Sequence, residues 1–240
     1  VDDKLFFSCD GANDPFVIAL NKSDGREAWR TRRTTRPKRT FSFCTPTLLE
    51  TGAGRWIISP GSGGVFAYDP VSGREVWKVR YGEGYSVVPK PVFGHGMIFV
   101  SSGFDDPVLM AIIPGGKGDM TDKSIVWEVD KRAPLTPSKL LIGDELYYIA
   151  DNGVMTCAEA KTGKTHWQER VCGSISASPV FAEGRIYVQD EKGLGVVVKA
   201  GRTFEVMAEN HLKERSLASY AVADGALYIR THENLYRIGK

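Results

Sequence analysis

Few side chains of the 240-residue sequence are spaced to do chemistry, and the densest group is basic. The run WRTRRTTRPKRTF places Arg30, Arg32, Arg33, Arg36, Lys38 and Arg39 within ten residues. Six cations this close could hold an anion: a phospholipid headgroup, an acidic polymer or an acidic protein surface. The plainer reading is a solvated surface loop, exposed and free of core ion pairs, whose charge keeps the protein soluble. The whole chain carries a formal charge of only +2, so the remainder is net negative and the charge is locally asymmetric. His95, His166, His211 and His232 are scattered, with no spacing that converges three or four ligands on a zinc ion. Asp105, Asp106, Asp119 and Asp122 crowd FDDPVL and GGKGDMTDKS, a chemistry calcium accepts. The EF-hand spacing is absent, however, and Asp and Gly are also ordinary turn residues. Cys9, Cys44, Cys157 and Cys172 form no C-x-x-C pair and sit in or beside apolar runs, which favours buried thiols over a disulfide. No G-x-S-x-G, H-E-x-x-H or G-x-x-x-x-G-K-[ST] occurs.

Composition narrows the class. With 42% apolar and 25% charged residues, the chain has enough side chain to bury and is not globally disordered. Its best apolar runs, such as PFVIAL and VLMAII, stop far short of the roughly 18 residues of a membrane helix. A charge near zero argues against a nucleic-acid binder. The opening VDDKLFFSCDG reads as a strand and its turn, as would follow processing or a cut through a longer protein.

Laid against itself, the chain repeats. VIALNKSDGREAWR, VFAYDPVSGREVWK and MTCAEAKTGKTHWQ overlay without gaps. Each has an apolar strand, a turn ending in Gly25, Gly73 or Gly163, and Trp29, Trp77 or Trp167 four residues on. LMAIIPGGKGDMTDKSIVWE reaches Trp127 after a longer turn, and GVVVKAGRTFEVMA has an apolar residue near Val206 in place of Trp. Between these hairpins FCTPTLLE, VPKPVFG, LTPSKLLIG, SASPVFAE and ASYAVAD each lead into another apolar strand. Pro46, Pro91, Pro137, Pro179 and Tyr220 mark a period of 45, 46, 42 and 41 residues. Four strands per period and no 3.6-residue pattern predict an all-β fold, a β-propeller of four-stranded antiparallel blades. A β-sandwich lacks such self-similarity, and a helical solenoid needs amphipathic helices.

The full unit, A-x-D-x-x-[ST]-G-x-x-x-W, resembles the tryptophan-docking motif of the quinoprotein-like propellers with PQQ-like repeats. That family also contains the propeller lipoprotein of the Bam complex. Ala67, Asp69, Ser72, Gly73 and Trp77 match it throughout. Ala19, Gly25 and Trp29 match with Asn21 in the Asp position; Ala158, Thr162, Gly163 and Trp167 match with Ala160 there. GDMTD, NGVMTC, HWQERV and SPVFAEGRIY are similar to planctomycete-type envelope propellers. The resemblance implies that Trp29, Trp77, Trp127 and Trp167 pack between blades against Gly turns, as structural docking residues. Residues 1–240 then form one propeller domain with four complete blades and two partial ones, 22 strands in all. The resembling proteins are eight-bladed, so an N-terminal part would be missing; a strained six-bladed ring is the competing expectation.

The same resemblance implies two functional classes. In quinone-dependent dehydrogenases, a carboxylate, an Asn, a catalytic Asp, a stacking Trp and an adjacent Cys pair hold pyrroloquinoline quinone (PQQ) and Ca²⁺. This chain has no vicinal cysteines, and four of its five Trp occupy docking positions, leaving Trp56 in a strand. The favoured expectation is therefore a non-catalytic scaffold of the bacterial envelope or periplasm, with no catalytic, cofactor or metal residues. Its partners would be other proteins or an anionic envelope component, met by the loops of one face.

Overall fold

Each short apolar run becomes a strand, and the Gly-bearing turns fold consecutive strands into antiparallel hairpins. The computed structural model describes residues 1–11 and 13–239. The first sheet has three strands, β1 (Lys4–Cys9), β2 (Phe16–Asn21) and β3 (Glu27–Arg32). The second is built from β4 (Thr47–Thr51), β5 (Gly54–Gly61), β6 (Gly64–Tyr68) and β7 (Glu75–Arg80). The third begins with β8 (Val92–Gly94), β9 (Met97–Ser101) and β10 (Leu109–Ile112). After an insertion holding β11 (Gly118–Asp119) and the one-turn helix α1 (Thr121–Ser124), β12 (Ile125–Val129) completes it. These three sheets form one unit, Val1–Lys131.

The second unit, Arg132–Lys240, repeats the plan. Its four-stranded sheets are β13 (Leu140–Ile142) to β16 (Thr165–Arg170), through β14 (Glu145–Ile149) and β15 (Val154–Glu159), and then β17 (Val180–Ala182) to β20 (Val206–His211), through β18 (Arg185–Gln189) and β19 (Leu194–Lys199). A three-stranded sheet of β21 (Ala221–Ala223), β22 (Ala226–Arg230) and β23 (Leu235–Gly239) follows. Each sheet is a propeller blade, and the fold is all-β with nearly no helix.

A bulge sets the tryptophans. On the strand that precedes the tryptophan strand in four sheets, a small residue faces the indole: Ala19 pairs with Trp29, Ala67 with Trp77, Ala111 with Trp127 and Cys157 with Trp167. The register shifts immediately after each of them. A bulge of this kind re-aims the outer strand, and a small partner leaves room for the ring. This pairing moves one sequence assignment by a residue. Cys157 and Glu159, not Ala158 and Ala160, hold the motif positions of the fourth sheet. Glu159 Oε2 accepts the Thr162 hydroxyl at 2.6 Å, as Asp69 Oδ1 accepts the Ser72 hydroxyl at 2.8 Å. In the fifth sheet the residue facing Val197 is Ala208, so Ala208 and not Val206 stands where Trp would.

Trp29 is 8% exposed and lies on the Gly73 turn of the second sheet. Its indole N–H donates to Pro70 O at 3.2 Å, and the Thr31 hydroxyl donates to Gly73 O at 2.7 Å. A Cβ on Gly73 would stand 2.4 Å from the ring, and φ there is +73°. The site therefore requires glycine twice over. Trp167 donates to Gly201 O at 3.0 Å and packs on Phe204. Trp127 is half-buried against Phe99. The Gly25 and Gly163 turns share the left-handed φ of Gly73, +70° and +73°.

Trp77 differs. It is 1% exposed and meets Trp56 edge-on, yet its indole N–H has no hydrogen-bond partner. The turn of the third sheet, which follows it, has been replaced by the long insertion. That insertion is instead a strap. Gly118 and Asp119 pair in parallel with Trp77 and Lys78, adding a fifth strand to the second sheet. The described residues thus form 23 strands and one helical turn, where the apolar runs alone predict 22 strands. The strap covers a strand edge that would otherwise be open to association.

Candidate functional site

The basic run divides into two kinds of residue. Arg30 and Arg32 belong to β3 rather than to a loop, and pair with Glu27 at 2.8 Å and Asp14 at 3.1 Å. Arg33 corrects the sequence reading outright: it is 2% exposed and ion-paired inside the first unit. Its Nε and Nη2 donate to the two Asp10 carboxylate oxygens at 3.0 and 2.9 Å. Its Nη1 and Nη2 donate to Ser59 O and Ser59 Oγ, both at 2.9 Å, and the guanidinium lies 4.8 Å from the Phe66 ring centre. Burial works against this charge, but Tyr68 and Asp10 more than offset it and the pKa moves up. Tyr68, itself buried, is pushed up to about 12. Such an ion pair joins residues 23 apart in sequence, a distance no local pattern reveals.

The rest of the run lies at the surface. Arg36 Nη1 donates to the carbonyls of Arg33 and Thr35 at 2.6 and 3.0 Å. Lys38 is exposed, with its backbone N–H on Glu83 at 2.8 Å. Arg39 stacks 4.7 Å over the Tyr85 ring, donates to a Tyr85 hydroxyl 2.5 Å away and lies 3.5 Å from Asp105. Arg36 also borders a crevice of about 570 Å³ whose far wall carries Lys78 and Arg80. Those cations are matched there, Lys78 by Glu75 at 3.3 Å and Arg80 by Asp119 at 2.8 Å. Carboxylates thus meet four of the six basic residues of the run, and its net field is much weaker than its composition suggests.

Beside these cations lies an aromatic surface that sequence reasoning missed. Residues 41–44 alternate, with Ser42 and Cys44 buried and Phe41 and Phe43 exposed at 45% and 64%. The segment is pinned on both sides. Phe43 N–H donates to Val87 O at 2.9 Å, Ser86 N–H donates to Phe41 O at 2.7 Å, and Ser42 bridges Asp10 and Val87. Next to it Phe104, 36% exposed, packs on Tyr85, and its N–H donates to Tyr85 O at 2.8 Å. Backbone bonds thus tie the segment of Phe41 and Phe43 to the one carrying Tyr85, on which Phe104 and Arg39 pack, and these tied segments make up the platform. The i, i+2 phenylalanines directly after the basic run were the available signal.

The other candidates are placed as follows. Among the described residues no group of three or more His, Cys, Asp or Glu could hold a metal ion. His95, His211 and His232 are exposed, and His166 has its Nε2 buried without a partner. Asp119 is held below the usual carboxylate range by the Thr121 hydroxyl and by Arg80. None of the four cysteines is joined in a disulfide; burial pushes Cys157 up to about 11 and Cys172 up to about 12, which keeps both thiols protonated at neutral pH.

Known proteins share this pattern. The family model described as outer membrane protein assembly factor BamB matches residues 13–139 and 117–236. Outer membrane protein assembly factor BamB of Yersinia pestis is 22% identical over 236 residues, covering 91% of this chain and 55% of its own length. A quinoprotein ethanol dehydrogenase of Pseudomonas aeruginosa is 32% identical over 92 residues, 35% of this chain and 14% of its own. The chain thus spans about half the length, or less, of these curated relatives. The crystal structure of BamB from Moraxella catarrhalis superposes with a TM-score of 0.67 at 16% identity, covering 93% of this chain and 68% of that one, and shares the fold.

Proposed function

Because this chain belongs to the family of the outer membrane protein assembly factor BamB, we propose that it is a non-catalytic propeller scaffold of the bacterial envelope, periplasmic and associated with the outer membrane. It binds another protein through the loop surface of its first unit. The observation that carries this reading is the platform of Phe41, Phe43, Tyr85 and Phe104 beside Arg39. Aromatic residues and arginine are the types enriched at the centre of protein interfaces. Arg36 and Lys38 extend the platform with positive charge and suit an acidic partner surface.

The dehydrogenase relative supplies the second reading. The side chains here do not fit a bound quinone. The cysteines lie apart on different segments, Trp29, Trp77 and Trp167 are buried between strands, and Trp56 is 6% exposed against Trp77. Added PQQ with Ca²⁺ is expected to give no saturable cofactor spectrum, and a saturable one would reverse the choice.

The scaffold reading is tested by a photo-crosslinking side chain at Phe43 in living cells, with Val71, 72% exposed, as the control position. A discrete adduct is expected at position 43 only. Arg39→Glu should reduce it at least tenfold while moving the melting temperature by less than about 2 °C, since exposed substitutions change stability little. Equal adducts at both positions would refute the platform.

A further inference from the structure

We propose that the crevice between the fifth and sixth sheets binds one planar aromatic ring of indole size. The inference comes from a row of residues repeated along the chain. In three sheets an aromatic residue, a small residue and a tryptophan stand side by side: Phe6–Ala19–Trp29, Phe99–Ala111–Trp127 and Tyr147–Cys157–Trp167. Their ring centres are 5.7, 5.9 and 6.1 Å apart. The fifth sheet has Tyr187–Val197–Ala208 in the same row. The aromatic neighbour is kept and the indole is gone.

Beside that row lies open space. Tyr187 and Val197 line a crevice of about 170 Å³ whose opposite wall is Leu227, Ile229 and Ile238 of the sixth sheet. By strand register Leu227 and Ile238 correspond to Ile57 and Tyr68, two of the residues that close over Trp29. Two apolar walls of an indole seat are therefore present, and Ile238 is left 49% exposed. Ring burial there would remove apolar surface from water without any new packing in the protein. The seated tryptophans also donate their N–H to a carbonyl, Trp29 to Pro70 O and Trp167 to Gly201 O. Here Asn210 and Tyr220 on the crevice wall supply the polar groups. The ligand class is thus a flat bicyclic aromatic ring with one donor, either free or carried on a peptide.

The test is titration of the full chain with free indole, followed by NMR. Saturable shifts are expected at Tyr187, Leu227 and Ile229. Ala208→Trp, which returns the indole to its row, should weaken this binding at least tenfold. If that variant does not fold, Ile238→Asp at the half-exposed wall should cause the same loss. A capped Gly-Trp-Gly peptide separates the sources: tighter binding than indole at the same residues assigns the ring to a partner chain, and weaker binding assigns it to a free molecule. Shifts that do not saturate, that map elsewhere, or that survive both substitutions would overturn the proposal.

Discussion

Replacing Arg33 with alanine is expected to destabilise the fold by about 3–5 kcal/mol, more than any other single change in the basic run. The substitution leaves the Asp10 carboxylate, whose side chain is 1% exposed, without its cation. It also strips the partners from Ser59 O and Ser59 Oγ. A buried pair need not be more stable than an apolar one, but breaking it by removing one partner is costly. The paired replacement Arg33→Met with Asp10→Leu should therefore recover most of the loss. Arg36→Glu and Lys38→Glu, a few residues away, should each change stability by less than about 0.5 kcal/mol. Urea unfolding followed by tryptophan fluorescence measures all four. An Arg33→Ala midpoint equal to the wild type would disprove the internal ion pair.

Truncation of a docked indole should be comparably severe, about 3–5 kcal/mol for Trp29→Ala or Trp77→Ala. The two sites separate when a smaller aromatic ring is kept and the N–H removed. Trp29→Phe loses the hydrogen bond to Pro70 O as well as part of the ring. Trp77→Phe removes a donor that had no partner, so no bond is lost with it. Leaving a donor buried and unmatched costs about 1–3 kcal/mol, so Trp77→Phe should be the milder substitution by a margin of that order. The same unfolding experiment decides it. If Trp77→Phe proves the worse of the two, the indole N–H of Trp77 has an acceptor after all.

What the sequence made legible was whatever repeats. The Gly and Trp of three hairpins recur at fixed spacing, and at Trp29 the contact of ring on Gly turn is direct. Strand pairing resolved what similarity of residue type blurred. Cys157 does the job of Ala67 opposite an indole, though a thiol and a methyl group look unlike on paper. Ala208 is hidden because the bulge after Val197 shifts the register, which only strand pairing shows. The site was less accessible still. Arg33 and Arg39 are neighbours in a charged run, yet one faces Asp10 in the interior and the other Tyr85 at the surface. That division depends on which carboxylates the fold brings near, and hence on contacts distant in sequence. Phe41 and Phe43 stood in plain view, but only the pinning of their backbone between two other segments turns them outward together.

The strap from the third blade has a bearing on how the molecule opens. In a chain of repeats each unit is coupled to its neighbours by one interface, and stability is close to a sum of such nearest-neighbour terms. Between the second and third blades there are two couplings: the shared apolar core, and the backbone pairing of Gly118 and Asp119 with β7. Met120 N–H on Lys78 O and the Thr121 hydroxyl under Arg80 N–H fasten the same seam. Loss of β7 must release the strap, and loss of the strap must uncover β7. The two blades therefore behave as one cooperative block, whose amides exchange with solvent together and late.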